Sequence, residues 1–162
     1  MLIIGKDGFR KLVLGYEVNA NQIETKAFEA ARNLPNGKIV PGDLLITTGV
    51  AQVYTTPDKS QSATTYEGKI AGIALATNVK LDPLFPQSAD EPGFEAGQHG
   101  ANLVKGEIAV KLYGSAPKEN DQVYYNVAQA AFTTTAAGNL KCEGYKFSGI
   151  TEGNLTVVNR LY

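Results

Sequence analysis

The sequence is short of the residues that usually announce chemistry. In 162 residues there is one cysteine, one histidine, one methionine and no tryptophan. A lone Cys142 cannot close an intrachain disulfide, and its expected role is that of a small buried hydrophobe. Charge of one sign is also missing. Fifteen Lys and Arg stand against sixteen Asp and Glu, for a net charge of −1, and no block of like charge occurs. A dedicated nucleic-acid binder or a binder of anionic membranes would carry a basic patch, so both partner classes are excluded. No apolar run approaches the roughly 18 residues needed to span a bilayer as a helix. The opening Met1-Leu2-Ile3-Ile4-Gly5-Lys6 has neither a basic start nor a long apolar stretch, and it does not read as a signal peptide. The expectation is a protein made and kept in a cytoplasm, or carried out of it by a route other than secretion.

Turn formers are plentiful: 17 Gly and 7 Pro beside 43% hydrophobic residues. That balance suits one β-rich domain with a real core rather than a disordered chain. Residues 37–54 set the pattern. Pro41-Gly42-Asp43 is a tight turn, Leu44-Leu45-Ile46 a short apolar strand, Thr47-Thr48-Gly49 a second turn, and 50–55 a returning strand. The design recurs later, where Asn120-Asp121 leads into Val123-Tyr124-Tyr125. Val50-Ala51-Gln52 is echoed by Val127-Ala128-Gln129 and Gly72-Ile73 by Gly149-Ile150, each 77 positions on, while Asp43 and Asp121 lie 78 apart. Two copies are too few for a solenoid, so the repetition predicts one domain with pseudo-duplicated halves.

Along the chain, Leu12-Val13-Leu14 and Tyr16-Glu17-Val18 read as one strand broken at Gly15. Residues 21–33 allow two readings. Ile23, Ala27, Ala30, Ala31 and Leu34 share one helical face, with Asn21 as N-cap and Pro35 beyond the end, whereas Ile23, Thr25 and Ala27 also alternate as in an extended docking arm. Residues 80–101 hold three Pro and three Gly together with Leu81, Leu84, Phe85 and Phe94; a loop of that length packs over the domain or reaches a neighbour. Ile108, Val110 and Leu112 alternate with Glu107, Ala109, Lys111 and Tyr113 in the clearest strand. Short strands at this spacing predict a small barrel or sandwich. The expected division is an N-terminal arm or short helix over 1–35 and a β domain over 36–162.

The search for chemistry comes back empty. His99 sits in Gly97-Gln98-His99-Gly100 with no second histidine, and Asp90, Glu91 and Glu95 are not spaced as a ligand set. Cys142 lies in a predicted strand without a nucleophile elbow. Gly5-Lys6, Gly37-Lys38 and Gly68-Lys69 lack the rest of a phosphate loop. No catalytic residue, metal ligand or cofactor is assigned, and a binding or structural role is expected. Tyr54, Tyr124, Tyr125 and Phe132 could form a sugar platform but more simply pack between strands.

The order of signals from residue 37 onward resembles the capsid cement (structural decoration) proteins of tailed bacteriophages. The resemblance is carried by Val40-Pro41-Gly42-Asp43-Leu44, Ile70-Ala71-Gly72-Ile73-Ala74, Gly106-Glu107-Ile108-Ala109-Val110, Asn120-Asp121-Gln122-Val123-Tyr124 and Thr156-Val157-Val158-Asn159-Arg160-Leu161, over about three-quarters of the chain. It implies a mainly β fold, a small barrel or β-tulip-like sandwich. It implies a virion protein that binds the outside of the expanded capsid where capsomers meet and steadies it against genome pressure. The partners would be the major capsid protein and further copies of the chain, as a dimer or trimer. Residues 1–35 and 80–101 fall outside the resemblance and become the expected contact regions, with Leu12, Val13, Tyr16, Phe28, Leu84, Phe85 and Phe94 as candidate contacts. The rival expectation is a carbohydrate- or receptor-binding module of a phage tail or bacterial surface protein.

Overall fold

A computed structural model describes residues 12–18, 23–76 and 93–161. It is mainly β: β1 Glu24–Ala30, β2 Leu44–Thr47, β3 Val53–Thr55, β4 Ile70–Ile73, β5 His99–Lys111, β6 Gln122–Asn126, β7 Ala131–Thr133, β8 Leu140–Glu152 and β9 Leu155–Arg160, with a short 3₁₀ turn at Ala63–Tyr66. The sheet order is β4-β2-β3-β1-β5-β9-β8-β6-β7. β5 is therefore the central strand.

The sheet is curled at both ends until each returns to β5. On one side Ala74, just past β4, bridges Asn102 of β5, and Leu75 N–H donates to Ala101 O at 2.9 Å. On the other side Phe132 of β7 bridges Leu112, and Tyr113 N–H donates to Phe132 O at 2.8 Å. Two nearly closed rings result. Unit one is β1, β2, β3, β4 and the first half of β5; unit two is the second half of β5 with β6, β7, β8 and β9. The division falls at Gly106, where pairing with β1 ends at Lys105 and pairing with β9 begins.

The duplication is visible bond by bond. In unit one, Val40 N–H donates to the Asp43 carboxylate at 2.9 Å, Asp43 N–H to Val40 O at 2.9 Å, and Gly42 lies at φ +90°. In unit two, Lys118 N–H donates to the Asp121 carboxylate at 2.9 Å, Asp121 N–H to Lys118 O at 3.1 Å, and Asn120 lies at φ +70°. Gly and Asn are the residues that accept a positive φ at least cost, so the same turn forms from different sequence. Each turn then pairs with the strand two elements on. Gly42 N–H meets Ala74 O and Asn120 N–H meets Phe147 O, at 2.7 and 2.8 Å. The equivalent positions are thus 78 apart in the first hairpin, and Gln52 and Ala130, both at positive φ, obey the same offset. The apparent echo at 77 is off by one. Val50 is exposed at a hairpin tip, whereas Val127 is buried.

Residues 21–33 do not form a helix where they are described. β1 lies between β3 and β5, paired antiparallel with residues 99–105 and parallel with Val53 and Tyr54. The alanines that favour a helix in isolation are overridden by two partner strands, because propensity is a weak prior against cross-strand packing. Residues Glu24–Ala30 are thus paired within the sheet, with β5 on one side and, at Glu29 and Ala30, with β3 on the other. Residues 99–101, expected within the long loop, belong to β5; residues 80–92 of that expectation lie outside the described residues.

A core cluster of Phe28, Ala30, Ile39, Leu45, Ala74 and Phe94 fills unit one. A larger one runs from Leu44, Ile46, Ile73 and Leu103 into Ile108, Val110, Val123, Tyr125, Phe132, Phe147 and Val158 of unit two. β2 is consequently buried on both faces, which explains its unbroken Leu44-Leu45-Ile46 run.

Candidate functional site

Three places hold the features from which a function could be built: the N-terminal strap, the seam between the units, and the exposed tips and edges.

The strap is residues 12–18. Gly15 N–H donates to Ala109 O at 2.8 Å, Ala109 N–H to Tyr16 O at 3.1 Å, and Val18 N–H to Glu107 O at 3.0 Å. It thus covers the edge of β5 that β9 leaves open, with Glu17 bridging Ile108. Gly15 is required by closeness as well as by its φ of +80°: a Cβ there would stand 2.4 Å from the Cβ of Pro41. Leu12 packs on Ala109 and Val157.

At the seam, Arg160 reaches back from β9 to unit one. Its Nη1 donates to Leu103 O at 2.6 Å and to Ala71 O at 3.0 Å, and its guanidinium lies 5.5 Å from the centre of the Tyr145 ring. Asn102 Nδ2 also donates to Ala71 O. Asn102 Oδ1, Tyr145 OH and Arg160 Nε are buried without a hydrogen-bond partner among the described residues. Burial pushes the Tyr145 phenol up. Sequence reasoning saw Arg160 only as part of a terminal strand; its latch spans 89 positions and left no local signal.

The expected contact residues are scattered. Phe28 and Phe94 are buried and meet edge to face, centroids 5.6 Å apart, so both side chains are occupied by the core of unit one. On the strap, Leu12 is buried against Ala109 and Val157, and Val13 and Tyr16 are half-buried. Leu84 and Phe85 lie outside the described residues. Among the described residues the exposed large apolar side chains are instead Val50, Tyr113, Ile150 and Leu161.

The residues tested for catalysis do not converge. His99 is exposed at the start of β5, its Nε2 3.9 Å from a Glu29 carboxylate oxygen that is itself open to solvent. Cys142 is buried, and burial pushes its thiol up, away from the reactive thiolate. Among the described residues no group of three His, Cys, Asp or Glu could hold a metal ion. Asp90 and Glu91 lie outside the described residues. Among the described residues Asp43 is the strongly perturbed carboxyl: burial raises it from 3.8 to about 7, against the opposing pull of the Val40 N–H, Lys59 and Lys111. Its partner is a turn amide, which marks it as a structural cap rather than a catalytic acid.

Comparison with known proteins agrees with this architecture. In "The capsid of Myoviridae Phage XM1", one chain superposes with a TM-score of 0.66 at 22% identity, over 92% of this chain and 89% of that one. At that identity the likeness is one of fold. No curated protein matches the chain. The family described as structural cement protein (E217 gp24/Pam3 gp6) matches from residue 17 to residue 161, from the strap through both rings to the end of β9. With the match running through every described strand, the chain belongs to this family of phage structural cement proteins.

Proposed function

We propose that this phage capsid structural protein binds the outside of the expanded head at capsomer junctions, contacts the major capsid protein there, and holds the shell against the pressure of packaged genome. The observation that carries the reading is the family match over residues 17–161, supported by the fold shared with a chain of a phage capsid. The mechanism is mass action. A protein that binds only the assembled shell stabilises it by about 2.7 kcal/mol per site at a hundredfold excess over Kd, repeated at every site. Val13 and Tyr16, half-buried on the strap, and Leu84 and Phe85 remain as proposed contacts. Phe28 and Phe94 do not, since their rings are enclosed.

The test is to mix the purified protein with expanded shells that lack it, sediment them, and count bound copies. Saturation at a fixed number per junction, with a higher temperature of shell rupture, is expected. Folded protein that stays in the supernatant overturns the reading. Deleting residues 1–20 is a poor version of this experiment, because it would uncover Ala109 and Val157 and free the edge of β5. Tyr16→Ala leaves the strap's backbone bonds in place and is the better probe.

A further inference from the structure

Equivalent places in the two units differ in one edge, which no described strand covers along the first half of β1. In unit two, the side of β5 that turns away from β9 is paired at Glu107 and Ala109 by the strap. The equivalent side in unit one belongs to β1. There, Glu29 N–H donates to Gln52 O at 2.8 Å and Ala31 N–H to Tyr54 O at 2.9 Å. Because backbone groups alternate along a strand, Thr25 and Ala27 point the same way as Glu29 and Ala31. β3 pairs β1 only at Glu29 and Ala30, and among the described residues no strand lies beside Thr25 and Ala27. Residues Glu24, Thr25, Lys26 and Ala27 are exposed. An exposed edge of this kind is a template for pairing with another chain.

The sequence of that edge is complementary to itself. Placed antiparallel against a second copy and centred on Thr25, Ile23-Glu24-Thr25-Lys26-Ala27 sets Glu24 opposite Lys26 of the copy, Lys26 opposite Glu24 of the copy, and Ile23 opposite Ala27 on both sides. Outward-facing Thr25 would exchange both backbone bonds with its own counterpart. Opposite charges directly across a strand pair attract, and like charges repel. Neither Glu24 nor Lys26 has an ion-pair partner among the described residues. We propose that two copies of this chain associate through the β1 edge about a twofold axis, joining two unit-one sheets through Thr25, with Glu24 and Lys26 setting the register. Such an interface is isologous: one patch serves both partners.

The proposal does not rest on capsid binding and is tested in solution with the full chain. Sedimentation equilibrium over a concentration series should show a monomer–dimer equilibrium for the wild type. Lys26→Glu places four carboxylates across the interface and should weaken the dimer by about tenfold or more. Glu24→Lys with Lys26→Glu restores opposite charges and should recover the wild-type dimer, an outcome that a merely structural role for Lys26 would not give. Thr25→Cys should form an oxidised dimer across the axis, since Cys142 is buried and cannot compete. A wild-type protein that is monomeric throughout overturns the proposal. So does a dimer indifferent to Lys26→Glu, or one that the double exchange fails to rescue.

Discussion

Unit one and unit two repeat one ring, yet their outer faces differ. At the positions of Leu44 and Ile46 in unit one, unit two has Gln122 and Tyr124. The first pair is buried in the large core cluster that continues into unit two; the second is half-buried, with Gln122 bonded through Nε2 to Cys142 O and Lys146 Nζ bonded to Gln122 Oε1. The same strand thus faces a neighbouring ring in one copy and solvent in the other. The connections differ too. Between β3 and β4 lies a long loop, ordered by Asn36 Nδ2 donating to Pro57 O and by Asp58 N–H donating to Tyr66 OH. Its counterpart between β7 and β8 is only residues 134–139. A duplicated ring diverges where the environment differs and keeps its turn geometry where it does not.

That contrast can be broken by substitution. The largest effect is expected at the shared face: Ile46→Ala removes buried methylenes and should cost about 3–4 kcal/mol in urea unfolding, while Tyr124→Ala, at the equivalent place, should cost about 1 kcal/mol. Equal losses would mean that the two faces are not distinguished by burial.

Asp43 comes next. Its pKa in the fold, about 7, lies above the ordinary 3.8, so the folded chain holds the proton more tightly than the unfolded one. The stabilisation is fully present below about pH 4, is lost as pH rises to 7, and is absent above that; a shift of this size corresponds to at most about 4 kcal/mol. Asp43→Asn keeps an oxygen for the Val40 N–H and removes the charge. Thermal unfolding at pH 4.5 and 8 should show the variant gaining on the wild type as pH rises. A constant difference between the two would remove Asp43 as the source.

Smaller still is the strap. Gly15→Ala forces a methyl against Pro41 and should cost about 2 kcal/mol, with faster amide exchange at Ala109 as the local sign. Unit two's own turn, where Gly138 has open space around it, should accept Gly138→Asn with little change.

What could be read from residues was the local grammar. Pro41-Gly42-Asp43 and Asn120-Asp121 are turns in the structure, Ile108 and Val110 alternate into the core as expected, and the ordered motifs pointed to the family that the chain belongs to. The offset of the duplication was legible in Asp43 and Asp121 but blurred by the coincidental Val-Ala-Gln match. The candidate contacts were less legible. Phe28 and Phe94 are large and apolar, and a sequence cannot tell a ring aimed outward from one aimed at another ring.

Turns, alternation and composition were determined by the sequence itself, because each depends on the dihedral limits and side chains of neighbouring residues. Only the tertiary structure decided that residues 24–30 are a strand, that β5 serves two rings, that Arg160 locks onto Ala71 and that, among the described residues, no strand pairs with the outer edge of β1 at Thr25 and Ala27. Each of these depends on pairing between residues far apart in the chain, where the free energy comes from a partner strand and no local pattern records which partner that will be.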